Sequence, residues 1–149
     1  MTITPLTQLP DTDWLRMRQA LWPEGSAQEH LDEMGEFLSQ PTRFGQFMAR
    51  SAAGEALGFV EVAVRTDYVN GTASSPVGFL EGVYVEPAAR RQGVARALIR
   101  AAAAWARAQG CAELASDTLL DNTQSQAVHR CLGFVETERV VYFALQLQG

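Results

Sequence analysis

The stretch of sequence that decides the fold is Phe79-Leu-Glu-Gly-Val-Tyr-Val-Glu-Pro-Ala-Ala-Arg90-Arg-Gln-Gly93-Val-Ala95-Arg-Ala-Leu-Ile-Arg100. Its first part is apolar and rich in β-formers, and Glu86-Pro87 ends it, which predicts a strand. A short loop leads to Gly93, and an Ala/Leu-rich segment with helical spacing follows. The stretch therefore predicts a strand, a glycine-containing turn and a helix N-terminus in succession.

The predicted helix N-terminus is suited to binding phosphate. Its first backbone N–H groups have no partners within the helix, and the helix dipole adds partial positive charge there. The spacing Arg90-x-x-Gly93-x-Ala95 lacks the Gly-Lys-Ser/Thr of a P-loop and the third glycine of a dinucleotide fold. From these residues alone, a solvated helix cap remains the alternative.

The Arg90-x-x-Gly93-x-Ala95 spacing resembles the acetyl-CoA signature of the GCN5-related N-acetyltransferase (GNAT) family, (Arg/Gln)-x-x-Gly-x-(Gly/Ala). In that family the loop amides hold the pyrophosphate of the cofactor. The resemblance implies acetyl-CoA as co-substrate and no metal. The implied contacts in this loop are Arg90, Arg91, Gln92, Gly93, Val94, Ala95 and Arg96.

Composition limits the function further. With 149 residues and 47% hydrophobic content, residues 1–149 are expected to form a single domain. A net charge of −5 argues against nucleic acid as the main ligand and is compatible with a cationic substrate. We expect a cytoplasmic protein, because no apolar run reaches membrane-spanning length and no leader pattern is present. Cys111 and Cys131 are expected to be buried thiols rather than a disulfide or metal site.

The periodicity along the chain predicts a mixed α/β order. Ser26-x-x-Glu29 fits a capping box, and the alternation along 60–65 is typical of a half-covered strand. Strands are predicted at 3–6, 44–52, 56–69, 77–85 and 112–116, with one or two more in 134–147, and helices at 12–21, 26–40, 90–109 and 122–133. This order predicts an antiparallel meander before a right-handed parallel crossover.

The order also resembles the GNAT fold, now over essentially the whole chain. That resemblance implies a central mixed, partly antiparallel sheet of six to seven strands flanked by about four helices. In the family the central strand carries a bulge that exposes amides to pantetheine, and Gly82 stands where such a bulge is tolerated.

Several segments are similar to one branch of the family, the aminoglycoside 6′-N-acetyltransferases. They are 21–23, 67–71, 74–76, 79–82, 115–118 and 136–140. The resemblance implies transfer of acetyl to the 6′-amine of the drug, antibiotic resistance and a homodimer, for which the apolar segment 140–147 offers a surface. The implied drug pocket is Trp22, Tyr68, Glu81, Asp117 and Glu138, and the implied pantetheine contacts are Val83, Tyr84, Val85 and Asn122.

The chemistry of such a site independently favours these residue types. Carboxylates complement a polycationic sugar, and an aromatic face covers a sugar ring and attracts ammonium groups. The amine must also lose a proton before it attacks a thioester, so Glu81 and Asp117 are candidate proton acceptors. The alternatives are a turn or cap role for Asp117, a solvent-facing edge position for Glu81 and an exposed strand position for Glu138, whereas Trp22 and Tyr68 suit a core.

One position departs from the family pattern. Five residues before Phe134, where many members have a tyrosine taken to protonate the CoA thiolate, this sequence has His129. A histidine can serve as an acid near neutral pH, or it can be structural while solvent protonates the thiolate. At the level of function, two alternatives also stay open: acetylation of another small polyamine, amino sugar or protein amine, and a non-catalytic acyl-CoA-binding domain.

Overall fold

A computed structural model describes residues 1–148; Gly149 lies outside the described part. The strands are β1 (Thr2–Pro5), β2 (Phe44–Arg50), β3 (Ala56–Arg65), β4 (Val77–Val85) and β5 (Leu114–Ala115). The helices are α1 (Thr12–Leu21), α2 (Ala27–Ser39), α3 (Val94–Ala108) and α4 (Thr123–Cys131), with a short 3-10 helix at Pro87–Ala89. The bounds of β4 are those predicted from the sequence, and the mixed α/β class is confirmed.

The described strands form one sheet in the order β1-β2-β3-β4-β5. The first four strands pair antiparallel as a meander, and β5 pairs parallel to β4 after the α3 crossover. The mixed sheet and its parallel crossover were therefore predicted correctly. The predicted count of six to seven strands was too high, because the described residues contain five.

The two N-terminal helices begin where capping chemistry predicts. Asp11 accepts a hydrogen bond from the Trp14 amide at 3.0 Å and so caps α1. At α2, Ser26 and Glu29 exchange side-chain and backbone hydrogen bonds, each of 3.1 Å, and form the predicted capping box. These caps set where each helix begins along the chain.

Two strand predictions were wrong. Residues 134–148 contain no strand, and the side chains of Val141, Tyr142, Phe143, Leu145 and Leu147 are at least 75% exposed. Among residues 1–148 this segment takes part in no strand pairing, and a strand forms only when its backbone groups find partners. Strand β3 also ends at Arg65 rather than at Val69, because the chain turns into a loop after its ladder with β4 ends.

Strand β3 was predicted to be half covered, and the structure shows that both its faces are buried. Residues 58–63 are all buried, including Glu61 at 4% exposure. Helices α1 and α3 both pack against β3, so its alternation does not separate a core face from a solvent face. The polar residue in this run, Glu61, is therefore inside the protein.

The chain divides into two compact units, Met1–Ser116 and a second that begins at Asp117. The first unit contains the whole sheet and helices α1 to α3, and the second contains α4. Cys111 is buried as predicted, and burial raises the pKa of its thiol, but Cys131 is exposed, so that prediction was wrong. Among residues 1–148 no helix is long and apolar enough to span a bilayer.

Candidate active site

The site is organised by a bulge in β4. Across the β3–β4 ladder, Glu61 pairs with Gly82 and Val62 pairs with Leu80, so Glu81 is an extra residue without an opposite partner. Bulges re-aim side chains and interrupt pairing next to active sites. The bulge expected near Gly82 is therefore confirmed, and Glu81 is the bulged residue itself, with an exposed position on the strand.

Beyond the bulge, β4 is paired along one edge. Val83, Tyr84 and Val85 pair with β3 at Val60, Phe59 and Gly58. The ladder with β5 comprises Gly78–Leu114 and Phe79–Ala115 and ends before the bulge. An edge that leaves its neighbouring strand presents backbone N–H and C=O groups to a ligand. This geometry suits an extended chain bearing amides, such as pantetheine.

The loop after β4 presents backbone to solvent. Arg91 and Gly93 have left-handed φ angles of 63° and 80°, and α3 begins immediately afterwards without a side-chain cap. Left-handed residues in turns are characteristic of backbone concavities that bind anions. A Cβ placed on Gly93 would find no protein atom within 4 Å, so the space beside it is open. Arg90 is tied back to the Val85 carbonyl at 3.1 Å, which fixes the loop against the end of β4.

The indole of Trp22 lies directly against the bulge. A Cβ on Gly82 would lie 2.5 Å from Trp22 Cζ2, so only glycine allows the ring to approach so closely. The ring also packs edge-on to Phe59, with centroids 6.2 Å apart, and the Arg18 guanidinium lies 4.8 Å from its centroid. Trp22, predicted for the pocket, therefore contacts the residue that follows Glu81 on β4.

Beneath Trp22 is a buried cluster of charged side chains that the sequence patterns did not indicate. Arg18, 1% exposed, donates from Nη1 to the carboxylate of Glu61 at 2.5 Å and from Nη2 to Glu33 at 2.6 Å. Burial raises the pKa of Glu61, while Arg18 and a 2.9 Å hydrogen bond from Trp14 act in the opposite direction. The cluster gives Glu61 the partners that an ionised buried carboxylate requires.

His30 connects this cluster to Trp22. Arg18 Nε donates to His30 Nδ1 at 3.2 Å, so the hydrogen of a neutral His30 lies on Nε2. His30 Nε2 is 3.1 Å from the Trp22 carbonyl oxygen and donates to it. Arg18 and His30 together therefore hold both the ring and the backbone of Trp22.

Tyr68 lies in the loop after β3, and its side chain is exposed. It borders an open cleft of about 560 Å³ whose lining is Thr42, Arg43, Val64, Arg65, Thr66, Asp67, Tyr68 and Val69. At 73% exposure, Tyr68 is not a core residue, which removes that alternative. The cleft borders β3 at the end where its ladder with β4 terminates.

The later part of the same loop is anchored by a carboxylate. Glu113 accepts hydrogen bonds from the Ser74 hydroxyl and from the Ala73 amide, the latter at 2.9 Å. These donors hold the pKa of Glu113 below its ordinary value, with the Ser74 hydroxyl the larger cause. Glu113, which directly precedes β5, therefore attaches the loop to the start of that strand.

The carboxylate of Glu81 is held by an arginine that sequence reasoning did not single out. Arg65 Nη2 donates to Glu81 Oε1 at 2.8 Å, and the Arg65 guanidinium carbon lies 3.6 Å from the centroid of the Phe79 ring. Both side chains are partly exposed, 43% for Arg65 and 34% for Glu81. The alternation along β3 and β4 places Arg65, Val77 and Phe79 on one face, which is the signal that was available.

Three predicted site residues belong to the second unit. Asp117 is exposed, and Asn122 caps α4 by accepting from the Ser125 amide at 3.0 Å. Glu138 is exposed, and its predicted strand is absent.

His129, the departure from the family pattern, also lies in the second unit. Its Nδ1 donates to the Ser125 carbonyl at 2.7 Å and its ring packs edge-on to Phe134, an arrangement that favours the structural role. Among the described residues, no group of three or more His, Cys, Asp or Glu could hold a metal ion.

These features match a known enzyme class. The model of the acetyltransferase (GNAT) family matches residues 12–134, and the chain belongs to this family. It is accordingly an acyltransferase that uses acetyl-CoA.

Individual relatives are more informative. The chain is 55% identical over 130 residues to an aminoglycoside N(6′)-acetyltransferase type 1 of Serratia marcescens, a match that covers 87% of this chain and 88% of the relative. It is also similar to the apo structure of the aminoglycoside 6′-N-acetyltransferase AAC(6′)-Ig from Acinetobacter haemolyticus, at 48% identity and a TM-score of 0.91 over 99% of this chain and all of the other. A third likeness is to AAC(6′)-Iy in complex with the bisubstrate analogue CoA-S-monomethyl-acetylneamine, at 42% identity and a TM-score of 0.92 over 98% of each chain.

Proposed function

We propose that this protein is an aminoglycoside 6′-N-acetyltransferase that moves an acetyl group from acetyl-CoA to the 6′-amine of the drug and thereby confers resistance. The observation that carries the proposal is full-length similarity to enzymes of that activity, one of them solved with CoA joined to an aminoglycoside. The site geometry supports it, since the strand edge that is open to an acyl carrier follows directly on the partly exposed carboxylate of Glu81.

The β4 edge and the following loop supply the cofactor contacts. Val83 to Val85 would pair with the amides of pantetheine, and the N–H groups from Arg91 to Arg96 would bind the pyrophosphate at the start of α3. Arg90, held at the end of β4, and Asn122 complete the proposed set. When bound, acetyl-CoA supplies the thioester whose carbonyl carbon accepts the amine.

Transfer requires a neutral amine. In the ternary complex the amine nitrogen attacks the thioester carbonyl, a C–N bond forms, the C–S bond breaks and the CoA thiolate leaves and takes up a proton. Glu81 is the proposed acceptor of the proton that the amine loses, because the bulge exposes its carboxylate next to the open strand edge. Asp117 is the proposed holder of the 6′-ammonium and a second candidate acceptor.

The remaining pocket residues recognise the sugar. Trp22, fixed against Gly82, and the exposed Tyr68 offer aromatic faces to a sugar ring and its ammonium groups. Glu138 adds a further negative charge for a polycation.

The test is CoA thiol release from acetyl-CoA against a panel of amines. The panel contains kanamycin A, spermidine, glucosamine, a peptide amine and, as a separate compound, a second aminoglycoside that carries a 6′-hydroxyl. We expect kanamycin A to give the highest kcat/KM by at least about tenfold, since charged and hydroxyl groups of the whole drug contribute to binding. A higher value for spermidine or the peptide would contradict it.

We also propose a cytoplasmic homodimer. The large apolar residues between positions 140 and 147 are 46–91% exposed, and Phe143 reaches 91%. A run of this kind favours a second copy of the chain as its cover. Light scattering at micromolar concentration is expected to give twice the 16.3 kDa chain mass, and a monomer mass would contradict the dimer.

A further inference from the structure

The pair formed by Arg65 and Glu81 has a consequence for substrate selection. Glu81 is the carboxylate proposed to meet the drug amine, and a cationic group of the protein already contacts it. Arg65 Nη2 lies 2.8 Å from Glu81 Oε1. We infer that Arg65 is a specificity-determining residue that occupies Glu81 until a substrate ammonium displaces it. The inference rests on the proposed function, and it concerns how the same site treats a polycation.

The position of Arg65 lets it compete with a substrate for Glu81. It is the last residue of β3 and pairs with Val77 on β4. From there its side chain runs along one face of β4, over the Phe79 ring, to reach the bulged Glu81. The same residue lines the open cleft that contains Tyr68. Arg65 is thus common to the cleft and to the carboxylate.

The exposure of the pair makes it exchangeable. An ion pair between side chains that are 43% and 34% exposed is stabilised only weakly, since water screens both charges. A substrate carrying several ammonium groups can therefore replace Arg65 on Glu81. The Phe79 ring keeps the guanidinium near the site after displacement, so it continues to repel cations.

Two consequences follow for binding. Removing the guanidinium frees Glu81 and removes a like charge, so the affinity for a polycation should rise. The affinity for a substrate with one amine should rise less when the guanidinium is removed, because fewer charges on that substrate were repelled by it. Arg65 thereby lowers the affinity for polycations in general, and only those with enough additional contacts overcome it.

The chain offers a matched control in Arg43. Arg43 also lines the cleft and also has its guanidinium over an aromatic ring, 5.0 Å from the centroid of Phe44. Its side chain hydrogen-bonds to the side-chain amide oxygen of Gln40 at 3.4 Å rather than to a carboxylate. Arg43→Gln therefore removes the same charge from the same cleft without freeing Glu81.

The experiment is calorimetric binding of kanamycin A and glucosamine to the full chain in the presence of CoA. We expect Arg65→Gln to tighten kanamycin binding about three- to fivefold and Arg43→Gln to change it by less than about twofold. In a Glu81→Gln background, Arg65→Gln should have less than about a twofold effect, because its target is gone. Glucosamine binding should change by less than about twofold throughout.

Each other outcome overturns the inference. Weaker binding by Arg65→Gln would make Arg65 a residue that positions Glu81, and an equal gain in the Glu81→Gln background would reduce its role to general repulsion. Equal gains from Arg43→Gln and Arg65→Gln would do the same. The proposed function is judged separately by turnover: a wild-type enzyme that binds kanamycin without releasing CoA thiol contradicts that function and leaves the binding comparison decisive.

Discussion

Two carboxylates flank Gly82, and each holds an arginine, yet their surroundings differ completely. Glu61 pairs across the sheet from Gly82 and, with Arg18, is buried, the two side chains being 5% and 2% exposed. Glu81 precedes Gly82 along β4, and both it and its partner Arg65 are partly exposed to solvent. The comparison teaches that burial, rather than the pairing itself, separates an ion pair that stabilises the structure from one that a substrate can exchange.

The physical basis is the cost of removing charges from water. Once Arg18 and Glu61 are buried, each depends on the other and on Trp14, His30 and Glu33 for its hydrogen bonds. For the exposed pair, water replaces either partner at little cost. The bulge therefore has a fixed side beneath Trp22 and an exchangeable side at Glu81.

The largest expected effect is on stability. Glu61→Gln leaves the buried Arg18 charge poorly compensated, so we expect the free energy of unfolding to fall by about 3–5 kcal/mol. The matched variant Glu81→Gln should lower it by less than about 1 kcal/mol. Urea unfolding of both variants measures the difference, and similar losses for the two would remove the distinction between the pairs.

The second prediction concerns catalysis, for which Glu81 should matter more than Glu61, the reverse of their order for stability. Glu81→Gln should lower kcat about a hundredfold and remove the acidic limb of its pH profile, because the general base is replaced by an amide. Its KM should change little, because the neutral amide attracts the drug less strongly but the drug no longer has to displace Arg65. Steady-state kinetics across pH provide the measurement.

Asp117→Asn is the companion variant and should affect both KM and kcat, because Asp117 is proposed to hold the ammonium. Near wild-type kcat in both single variants and in the double variant would show that bulk water accepts the proton. The general-base role would then be absent from this site.

A smaller effect is expected at the proposed cofactor loop, where a glycine beside the ligand can be compared with a glycine elsewhere. Gly93→Ala places a methyl group in the open space proposed for the pyrophosphate and should raise the KM for acetyl-CoA about tenfold. Gly54 is the control, since its φ of 85° is similar and it too has open space around it. Both variants should lower the free energy of unfolding by about 1 kcal/mol because of the left-handed φ, and an equal KM for the two would count against the loop assignment.

Sequence reasoning succeeded where the signal is local. Val77–Val85 and the capping box at Ser26 follow from neighbouring residues, and the glycine loop follows from a short spacing. It failed for Glu61, because the alternation along β3 assigns polar residues to a solvent face, whereas helices cover both faces of this strand. Arg65 is exposed, as the alternation indicates, but its partner Glu81 lies on the neighbouring strand, and the register between two strands is not a local signal. The strand predicted in 134–147 failed because its partner is not specified by this segment.

The smallest expected effect concerns Glu113, which attaches the loop that follows Tyr68. Because its folded pKa is depressed, its contribution is complete above the unfolded pKa and is lost as pH falls through the folded value. Glu113→Gln should therefore raise the KM for the drug about two- to threefold, the effect expected from removing one charge-assisted hydrogen bond to an exposed loop. In the wild type, the protection factor of the Ala73 amide hydrogen against exchange should fall at acid pH, and an unchanged protection factor in Glu113→Gln would show that the carboxylate does not hold the loop.

The central claim is that this bulged site acetylates the 6′-amine of an aminoglycoside. The most direct measurement is the position of the acetyl group, found by NMR of the product formed from kanamycin A and acetyl-CoA. We expect a single acetyl group on the 6′-nitrogen and no acetylation of a related drug that carries a 6′-hydroxyl. Acetylation at another nitrogen, or equal turnover of the 6′-hydroxyl drug, would contradict it.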